Sequence, residues 1–215
     1  MRHALANAPY LLTRDEAYGP NGRFDRWGWR WEPGEPPGEA LPATAREVVA
    51  HVNKMGARRI PVGVIGPREC GPDELLLAEQ VGAGIGALGL AMICGGRTGV
   101  MAAAAKGCRA SGGLTIGILP GHSWHEANED IMVPIATGFS EARNMIIAKS
   151  CAVLVAVGGS YGTLSEIAYG LHFSKPVIVL ADAHDVGGTE RAANAEDAVD
   201  RLAAHLLTGA TMSHT

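Results

Sequence analysis

The fold of this chain is decided by the segment AVLVAVGGSYGTLSE at residues 152–166. A continuous apolar run leads into a glycine-rich turn and then into a helix-like stretch, which indicates a buried strand followed by a helix. Backbone N–H groups at such a turn lie where the helix dipole is positive, so the turn is a candidate anion site. The same arrangement occurs as AMICGGRTGVM at residues 91–101. Two GGxxG turns in one sheet predict a single phosphate-bearing ligand held from two sides.

Apolar runs alternate with helical patterns from residue 44 onward. The sequence predicts strands at 60–65, 90–94, 114–119, 131–135, 151–157 and 177–181, with helices at 44–56, 72–88, 100–109, 140–149, 164–173 and 189–207. This alternation predicts an α/β fold, a Rossmann-like doubly wound parallel sheet with helices on both faces. Ligands of such sheets bind outside the carboxyl ends of the strands. Both glycine turns lie at that edge, as do Gly66-Pro67-Arg68 and Pro120-Gly121-His122.

Residues 1–42 lack this alternation of apolar runs and helical patterns. Trp27, Trp29 and Trp31 have a period of two, which would place three indoles on one face of an extended segment. Prolines and glycines at residues 33–38 then interrupt regular structure. We predict an irregular Trp-containing N-terminal arm over residues 1–42 and a single Rossmann-like domain for a nucleotide or phosphate ligand over residues 43–215. The indoles either pack or stack on a ligand, and packing is the commoner role.

Composition restricts the class of partner. The 215 residues are 47% hydrophobic and 19% charged, which suits one folded domain. The net charge of −4 and the absence of a Lys/Arg cluster argue against a nucleic-acid partner, including a DNA-processing role. No apolar run approaches the roughly 18 residues that span a membrane, and the N-terminus lacks the apolar core of a signal peptide. We therefore expect a cytoplasmic protein with no membrane partner. The cysteines lack CxxC spacing and are expected to be reduced thiols.

The surroundings of the second turn resemble a known superfamily. Residues 157–166, VGGSYGTLSE, resemble the Pro-Gly-Gly-x-Gly-Thr-x-x-Glu signature of the Lonely Guy-like, formerly lysine-decarboxylase-like, Rossmann superfamily. Arg143-Asn144-Met145 resembles its Arg-Lys-x-x-Met helix, and the resemblance runs over about residues 61–182. Val157 replaces the proline of the superfamily's hydrolases and Asn144 replaces their lysine. The pattern is therefore more similar to the branch that contains the molybdenum-cofactor carrier proteins.

The resemblance implies a function. It implies a binding or carrier protein for a small phosphate-bearing ligand, a nucleotide or a pterin phosphate, held between the two GGxxG turns. No cofactor follows from the residues alone, but the resemblance implies the molybdenum cofactor as bound ligand, and a homo-oligomer, either dimer or tetramer. The alternative is a nucleoside 5′-monophosphate phosphoribohydrolase of the cytokinin-activating type. Glu166 would then stabilise positive charge on the ribose and activate water, while Arg143 would bind phosphate or the departing base.

The candidate site residues follow from these motifs, with several alternatives. Arg143 and Glu166 are the catalytic candidates. The ligand- or phosphate-binding candidates are Gly95, Gly96, Arg97, Thr98, Gly99, Asn128, Gly158, Gly159, Ser160, Tyr161, Gly162 and Thr163. Glu166 could instead cap its helix, since Thr163 and Glu166 have capping-box spacing, and Arg143 could be a surface residue in an ion pair. Arg97 is either an anion clamp or a solvated loop arginine.

The loop at residues 122–130 contains two histidines and three acids. Their HxxHE spacing differs from the helical HExxH of zinc hydrolases. We therefore predict a polar loop near the ligand edge and no metal site.

Overall fold

The computed structural model describes residues 9–209. Contacts divide these residues into two compact units, one formed by residues 9–59 with 202–209 and the other by residues 60–201. The boundaries along the chain fall between residues 59 and 60 and between residues 201 and 202.

The smaller unit contains an antiparallel sheet of five short strands and a helix. The strands are β1 (Tyr10–Leu12), β2 (Ala17–Gly19), β3 (Gly22–Asp25), β4 (Arg30–Glu32) and β5 (Leu41–Ala43), in the order β4-β3-β2-β1-β5. The prediction of irregular structure up to residue 42 is therefore wrong at these strands, whereas residues 33–40 are irregular as predicted, and residues 1–8 lie outside the described part. Strands of three or four residues are too short to show a clear alternation of apolar and polar side chains.

Helix α1 (Ala45–Lys54) of the smaller unit begins as its sequence predicts. The hydroxyl of Thr44 accepts a hydrogen bond from the backbone N–H of Glu47 at 3.3 Å. The Glu47 carboxylate in return accepts one from the backbone N–H of Thr44 at 2.7 Å. The predicted capping box is confirmed, and it satisfies two backbone donors that the helix leaves unpaired.

The three tryptophans of the smaller unit do not share one face. Trp31 lies in β4, and its indole N–H donates to the Leu207 carbonyl at 2.9 Å. Trp27 and Trp29 lie in the turn between β3 and β4, where Trp29 has a φ of 50°. Trp29 is buried and donates to the Arg58 carbonyl at 2.7 Å, whereas Trp27 is 60% exposed. The turn breaks the period of two, so the predicted shared face is wrong, and Trp29 and Trp31 serve in packing.

The larger unit is an α/β layer structure. Its strands are β6 (Pro61–Ile65), β7 (Ala91–Cys94), β8 (Leu114–Leu119), β9 (Val133–Ala136), β10 (Leu154–Val157), β11 (Val177–Leu180) and β12 (Glu190–Arg191). The helices are α2 (Pro72–Ala87), α3 (Val100–Ala110), α4 (Arg143–Ser150), α5 (Tyr161–His172) and the first part of α6 (Ala195–Gly209). The central strands are continuous buried apolar runs, because helices flank the sheet.

The strand order of the larger unit reverses at one place. The strand order is β12-β11-β10-β6-β7-β8-β9, and every neighbouring pair is parallel. The chain moves outward from β6 to β9 and then returns to the other side of β6 at β10. The strand order therefore reverses between β6 and β10, and the carboxyl ends of these two strands form the crevice where doubly wound folds bind ligands.

The predicted fold class is confirmed, with local differences. Strand β12 was not predicted, because two residues carry no pattern, and the last helix begins at Ala195 instead of residue 189. Helix α5 begins at Tyr161, three residues earlier than predicted. Between residues 9 and 209, no helix combines the length and apolar character needed to cross a membrane.

Candidate functional site

A cavity of about 530 Å³ lies at the reversal of strand order in the larger unit. Three segments form most of its wall: the loop after β6, the turn after β10 with the start of α5, and the start of α4. Its lining residues are Gly66, Pro67, Arg68, Glu69, Met101, Pro120, Ser140, Glu141, Arg143, Asn144, Gly159, Ser160, Gly162, Thr163 and Glu166. We call it the switch-point cavity. A cavity of about 380 Å³ in the smaller unit contains none of the predicted site residues.

The second glycine turn joins β10 to α5 in the wall of the switch-point cavity. Gly158 has a φ of 67°, a left-handed conformation that glycine adopts without strain. Ser160 is the N-cap of α5, and its hydroxyl accepts a hydrogen bond from the backbone N–H of Thr163 at 3.2 Å. The preceding N–H groups of this first turn have no intrahelical acceptor, and the helix dipole adds positive potential there. The turn therefore places backbone N–H groups of the first turn of α5 beside the cavity.

A buried ion pair lies beside this turn. Arg143 is the first residue of α4 and Glu166 lies in the second turn of α5, with side chains 8% exposed each. Nη1 of Arg143 is 3.6 Å from Oε1 of Glu166. Burial raises the pKa of Glu166 to about 7, although Arg143 opposes the rise. Burial also lowers the pKa of Arg143, an effect that Glu166 opposes.

The ion pair leaves hydrogen-bonding capacity unused. Nε of Arg143 is buried and has no hydrogen-bond partner within residues 9–209. A buried N–H without an acceptor is unfavourable. The pair therefore contains a buried donor without an acceptor, and a carboxyl whose pKa of about 7 lies near neutral pH.

The structure excludes one of the alternatives for Glu166 and one for Arg143. Because α5 begins at Tyr161, its N-cap is Ser160, and Glu166 lies beyond the capping position. The capping interpretation of Glu166 is therefore wrong. The interpretation of Arg143 as a surface residue is also wrong, since the side chain is buried, although the ion pair with Glu166 is present.

Asn144 connects the two helices that carry the ion pair. Its Oδ1 accepts a hydrogen bond from Nη1 of Arg143, and its Nδ2 donates to Ser165 Oγ at 2.9 Å and to the Gly162 carbonyl at 3.3 Å. The sequence identified Asn144 only as a departure from the lysine of the hydrolases. Its position beside Arg143 was the available signal for a role in the site, because a buried amide can accept from one helix and donate to another.

The first glycine turn packs against residues that line the switch-point cavity. A Cβ atom on Gly95 would lie 2.7 Å from Nη2 of Arg143, so the guanidinium packs directly on this glycine. Gly99 has a φ of 69°, and a Cβ atom there would lie 2.5 Å from the Pro67 carbonyl oxygen. The N–H of Val100 also donates to that carbonyl, at 3.1 Å. The turn therefore positions Arg143 and the loop after β6 by close packing.

Arg97 and Asn128 form a separate network that closes the first glycine turn. Nη1 of Arg97 lies 2.5 Å from Oε2 of Glu126. Nδ2 of Asn128 donates to the Arg97 carbonyl at 2.8 Å, and its backbone N–H donates to the Gly96 carbonyl at 2.9 Å. Arg97 therefore pairs with a carboxylate, and Asn128 contacts the backbone of the first glycine turn. Neither residue lines the switch-point cavity.

The structure therefore divides the predicted site residues into two sets. The cavity lining includes Arg143, Gly159, Ser160, Gly162, Thr163 and Glu166. It does not include Gly95, Gly96, Arg97, Thr98, Gly99, Asn128, Gly158 or Tyr161. Sequence reasoning placed Arg68 at this edge but did not select Glu69, Met101, Ser140 or Glu141.

The fold and the cavity define a Rossmann-like protein with a cavity at the reversal of strand order. The chain belongs to the SLOG cluster4 family, whose model matches residues 59–209. The resemblance to the Lonely Guy-like superfamily is thereby confirmed. Strands β1 to β5 precede the matched region.

Two solved structures and one curated relative show where the similarity is concentrated. The molybdenum cofactor binding protein of the phototrophic bacterium Rippkaea orientalis is 34% identical, with a TM-score of 0.65, over 68% of this chain and 97% of that chain. The Moco carrier protein of Chlamydomonas reinhardtii is 35% identical, with a TM-score of 0.65, over 70% and 99%. A cytokinin riboside 5′-monophosphate phosphoribohydrolase of Mycobacterium marinum is 30% identical over 119 residues, 51% of this chain and 63% of that protein.

Proposed function

We propose that this protein binds and carries a small phosphate-bearing ligand of the molybdenum-cofactor type in the switch-point cavity. The observation that supports the proposal is the meeting of the α5 N-terminus with a buried, incompletely hydrogen-bonded Arg143. A helix N-terminus and a guanidinium are both suited to phosphate. The similarity to Moco-binding and Moco carrier proteins supports the same class of ligand.

The cavity residues fit the phosphate end of such a ligand better than its metal end. The lining contains no cysteine or histidine. No cluster of three or more His, Cys, Asp or Glu side chains is placed to hold a metal within residues 9–209. When the molybdenum cofactor is bound, its own dithiolene supplies the molybdenum ligands. This chain would bind the phosphate at the α5 amides, with Ser160 and Thr163 hydroxyls as further donors, and would hold the anionic charge near Arg143.

The alternative is hydrolysis of the N-glycosidic bond of a nucleoside 5′-monophosphate. The specific observation in its favour is Glu166, because a pKa of about 7 suits a general acid or base at neutral pH. The similarity to the phosphoribohydrolase supports it as well. Against it, Glu166 faces Arg143 in a buried pair, and Asn144 takes the place of the hydrolases' lysine.

A paired assay separates the two functions. The protein is incubated with AMP and with a cytokinin nucleotide, and free base and ribose 5-phosphate are quantified. In parallel, it is mixed with molybdenum cofactor released from a molybdoenzyme, and retained molybdenum is measured after gel filtration. We expect retention without turnover. Turnover that disappears in Glu166→Gln would exclude a pure carrier, and absence of both activities would exclude both proposals.

The phosphate site has its own test. Gly159→Asp places a carboxylate beside the α5 amides and should abolish retention of the cofactor. Since this substitution also introduces atoms 2.9 Å from the Asp182 carbonyl, Ser160→Ala provides a milder variant. Ser160→Ala should weaken binding by a few-fold, and normal binding by both folded variants would exclude the α5 turn as the site.

The predicted cytoplasmic location and homo-oligomeric state, dimer or tetramer, belong to this proposal, and light scattering would establish the oligomeric state.

A further inference from the structure

The loop between β11 and β12, residues 181–189, packs against the second glycine turn, and we call it the β11 loop. A Cβ atom on Gly159 would lie 2.9 Å from the Asp182 carbonyl oxygen and 3.3 Å from Nε2 of His184. The first of these distances is shorter than real Cβ contacts, so the loop lies directly against the backbone of Gly159. Gly159 lines the switch-point cavity, whereas no residue of the β11 loop does.

A shared acceptor joins the β11 loop to the second glycine turn. The Leu180 carbonyl, at the end of β11, accepts a hydrogen bond from the backbone N–H of Gly158 at 3.3 Å. The same carbonyl accepts one from the backbone N–H of Ala183 at 3.1 Å. A displacement of the loop therefore changes the backbone contacts of the turn at its first two glycines.

Arg191 in β12 holds the β11 loop through three hydrogen bonds. Its Nη1 donates to the Ala181 carbonyl at 2.8 Å, and its Nη2 donates to the Ala183 carbonyl at 3.1 Å. Its Nε donates to Oδ2 of Asp185 at 3.1 Å. These contacts fall on alternate residues, and the two residues between them are the ones that contact Gly159. One guanidinium therefore fixes the segment of the loop that packs on the turn.

The conformation that Arg191 holds is an uncommon one. Ala181 has a φ of 50°, in the left-handed region that a residue with a side chain seldom adopts. Such a conformation persists only where neighbouring contacts enforce it. The hydrogen bond from Arg191 to the Ala181 carbonyl is such a contact, and without it the chain can relax at the point where it leaves β11.

We propose that Arg191 is a positioning residue for the second glycine turn and that, through the β11 loop, it sets the affinity of the switch-point cavity for its ligand. The inference rests on the proposed function and extends it to a residue outside both glycine motifs and outside the cavity lining. A guanidinium is required because its planar fork supplies three donors in fixed directions, which an ammonium group cannot reproduce. A turn that is ordered before the ligand arrives loses less entropy on binding.

The test compares Arg191→Ala and Arg191→Lys with wild type, at a side chain that is 45% exposed. Native-state hydrogen exchange of the Gly158 N–H, measured without ligand, should be about tenfold faster in both variants, since hydrogen bonds from a charged group are lost. Inorganic phosphate is then titrated at constant ionic strength while the backbone amides of Tyr161 and Gly162 are followed by NMR. The affinity for phosphate should weaken by about five- to tenfold in both variants. Because lysine keeps the charge, an equal loss in the two variants assigns the effect to the geometry of the guanidinium.

Arg109→Lys is the matched control, because Arg109 is 53% exposed and also holds a loop of the larger unit. Its Nη1 donates to the Glu129 carbonyl at 3.0 Å and to Oδ1 of Asp130 at 3.2 Å. This variant should leave both measurements within about twofold of wild type, since its contacts are not with the β11 loop.

The outcomes separate the inference from the proposed function. Wild-type exchange at Gly158 in the variants, or wild-type behaviour of Arg191→Lys, overturns the inference while the proposed function stands. Faster exchange with unchanged phosphate affinity also overturns it, because the position of the turn would then not govern binding. A wild-type protein whose α5 amides do not respond to phosphate removes the proposed phosphate site and the effect of Arg191 on affinity, and exchange at Gly158 then decides alone whether Arg191 positions the turn.

Discussion

Glu166→Gln tests the electrostatics of the switch-point cavity, because it replaces a buried ionisable carboxyl with a neutral amide of similar shape. Burial raises the pKa of Glu166 from 4.5 to about 7. A carboxyl with a higher pKa in the folded protein stabilises the fold while it is protonated. This stabilisation is complete below pH 4.5 and is lost as the pH rises through about 7. The interval between the two pKa values corresponds to about 3 kcal/mol.

The assay is urea unfolding of wild type and Glu166→Gln between pH 4 and pH 8.5 at fixed ionic strength. The free energy of unfolding of the variant minus that of wild type cancels the titration of other groups. This difference should rise by about 3 kcal/mol over the range, since only wild type must ionise a buried carboxyl. Most of the rise should occur between pH 4.5 and pH 7.

The same comparison in an Arg143→Gln background tests whether burial causes the raised pKa of Glu166. Arg143 lowers the pKa of Glu166 through its charge and a hydrogen bond, and burial outweighs both. In an Arg143→Gln background, the same difference should therefore continue to rise to higher pH. A difference that is flat, or that falls as the pH rises, would refute the reasoning, because the ion pair would then outweigh burial.

Three further substitutions test contacts away from the carboxyl. Thr44→Ala removes the capping hydroxyl of α1 and should lower the free energy of unfolding by about 1 kcal/mol in urea titration; a loss of a few tenths would contradict the capping role. Gly99→Ala places a side chain at a φ of 69° against the Pro67 carbonyl. Calorimetry should therefore show a free energy of unfolding that is lower by about 1–3 kcal/mol, and an unchanged melting temperature would contradict this packing. Trp31→Phe keeps an aromatic ring but removes the donor to the Leu207 carbonyl. This loss should lower the free energy of unfolding by about 1 kcal/mol in urea titration. Equal stability of variant and wild type would show that the hydrogen bond contributes nothing.

The parallel sheet was predictable because its strands are local apolar runs. Residues 114–119 were predicted as a strand and β8 covers the same residues, since turn residues mark both its ends. The smaller unit was not predictable in the same way. Its strands pair through backbone hydrogen bonds, which any side chain permits, and Trp29 adopts a positive φ that its residue type does not announce.

The candidate site was predictable where its contacts are local in sequence. The second turn and the hydroxyl cap of Ser160 are contained within a few residues, so the motif indicates their geometry. The role of the first turn depends on contacts with Arg143 and with the loop after β6, which are distant in sequence. Asn144 was missed for the same reason, since its donors reach α5. Pairwise contacts between distant segments leave no periodicity in a single sequence.

The packing of Arg143 on Gly95 has an evolutionary consequence. A Cβ atom at position 95 would lie 2.7 Å from Nη2 of Arg143 and 2.8 Å from Sδ of Met101, so both side chains would have to move to admit it. Relatives with a side chain at this position should therefore carry a smaller residue in place of the arginine and have a displaced or smaller residue in place of the methionine. We therefore expect positions 95 and 143 to vary together across the family, so that the pair, and not the glycine motif alone, marks chains whose cavity keeps this guanidinium.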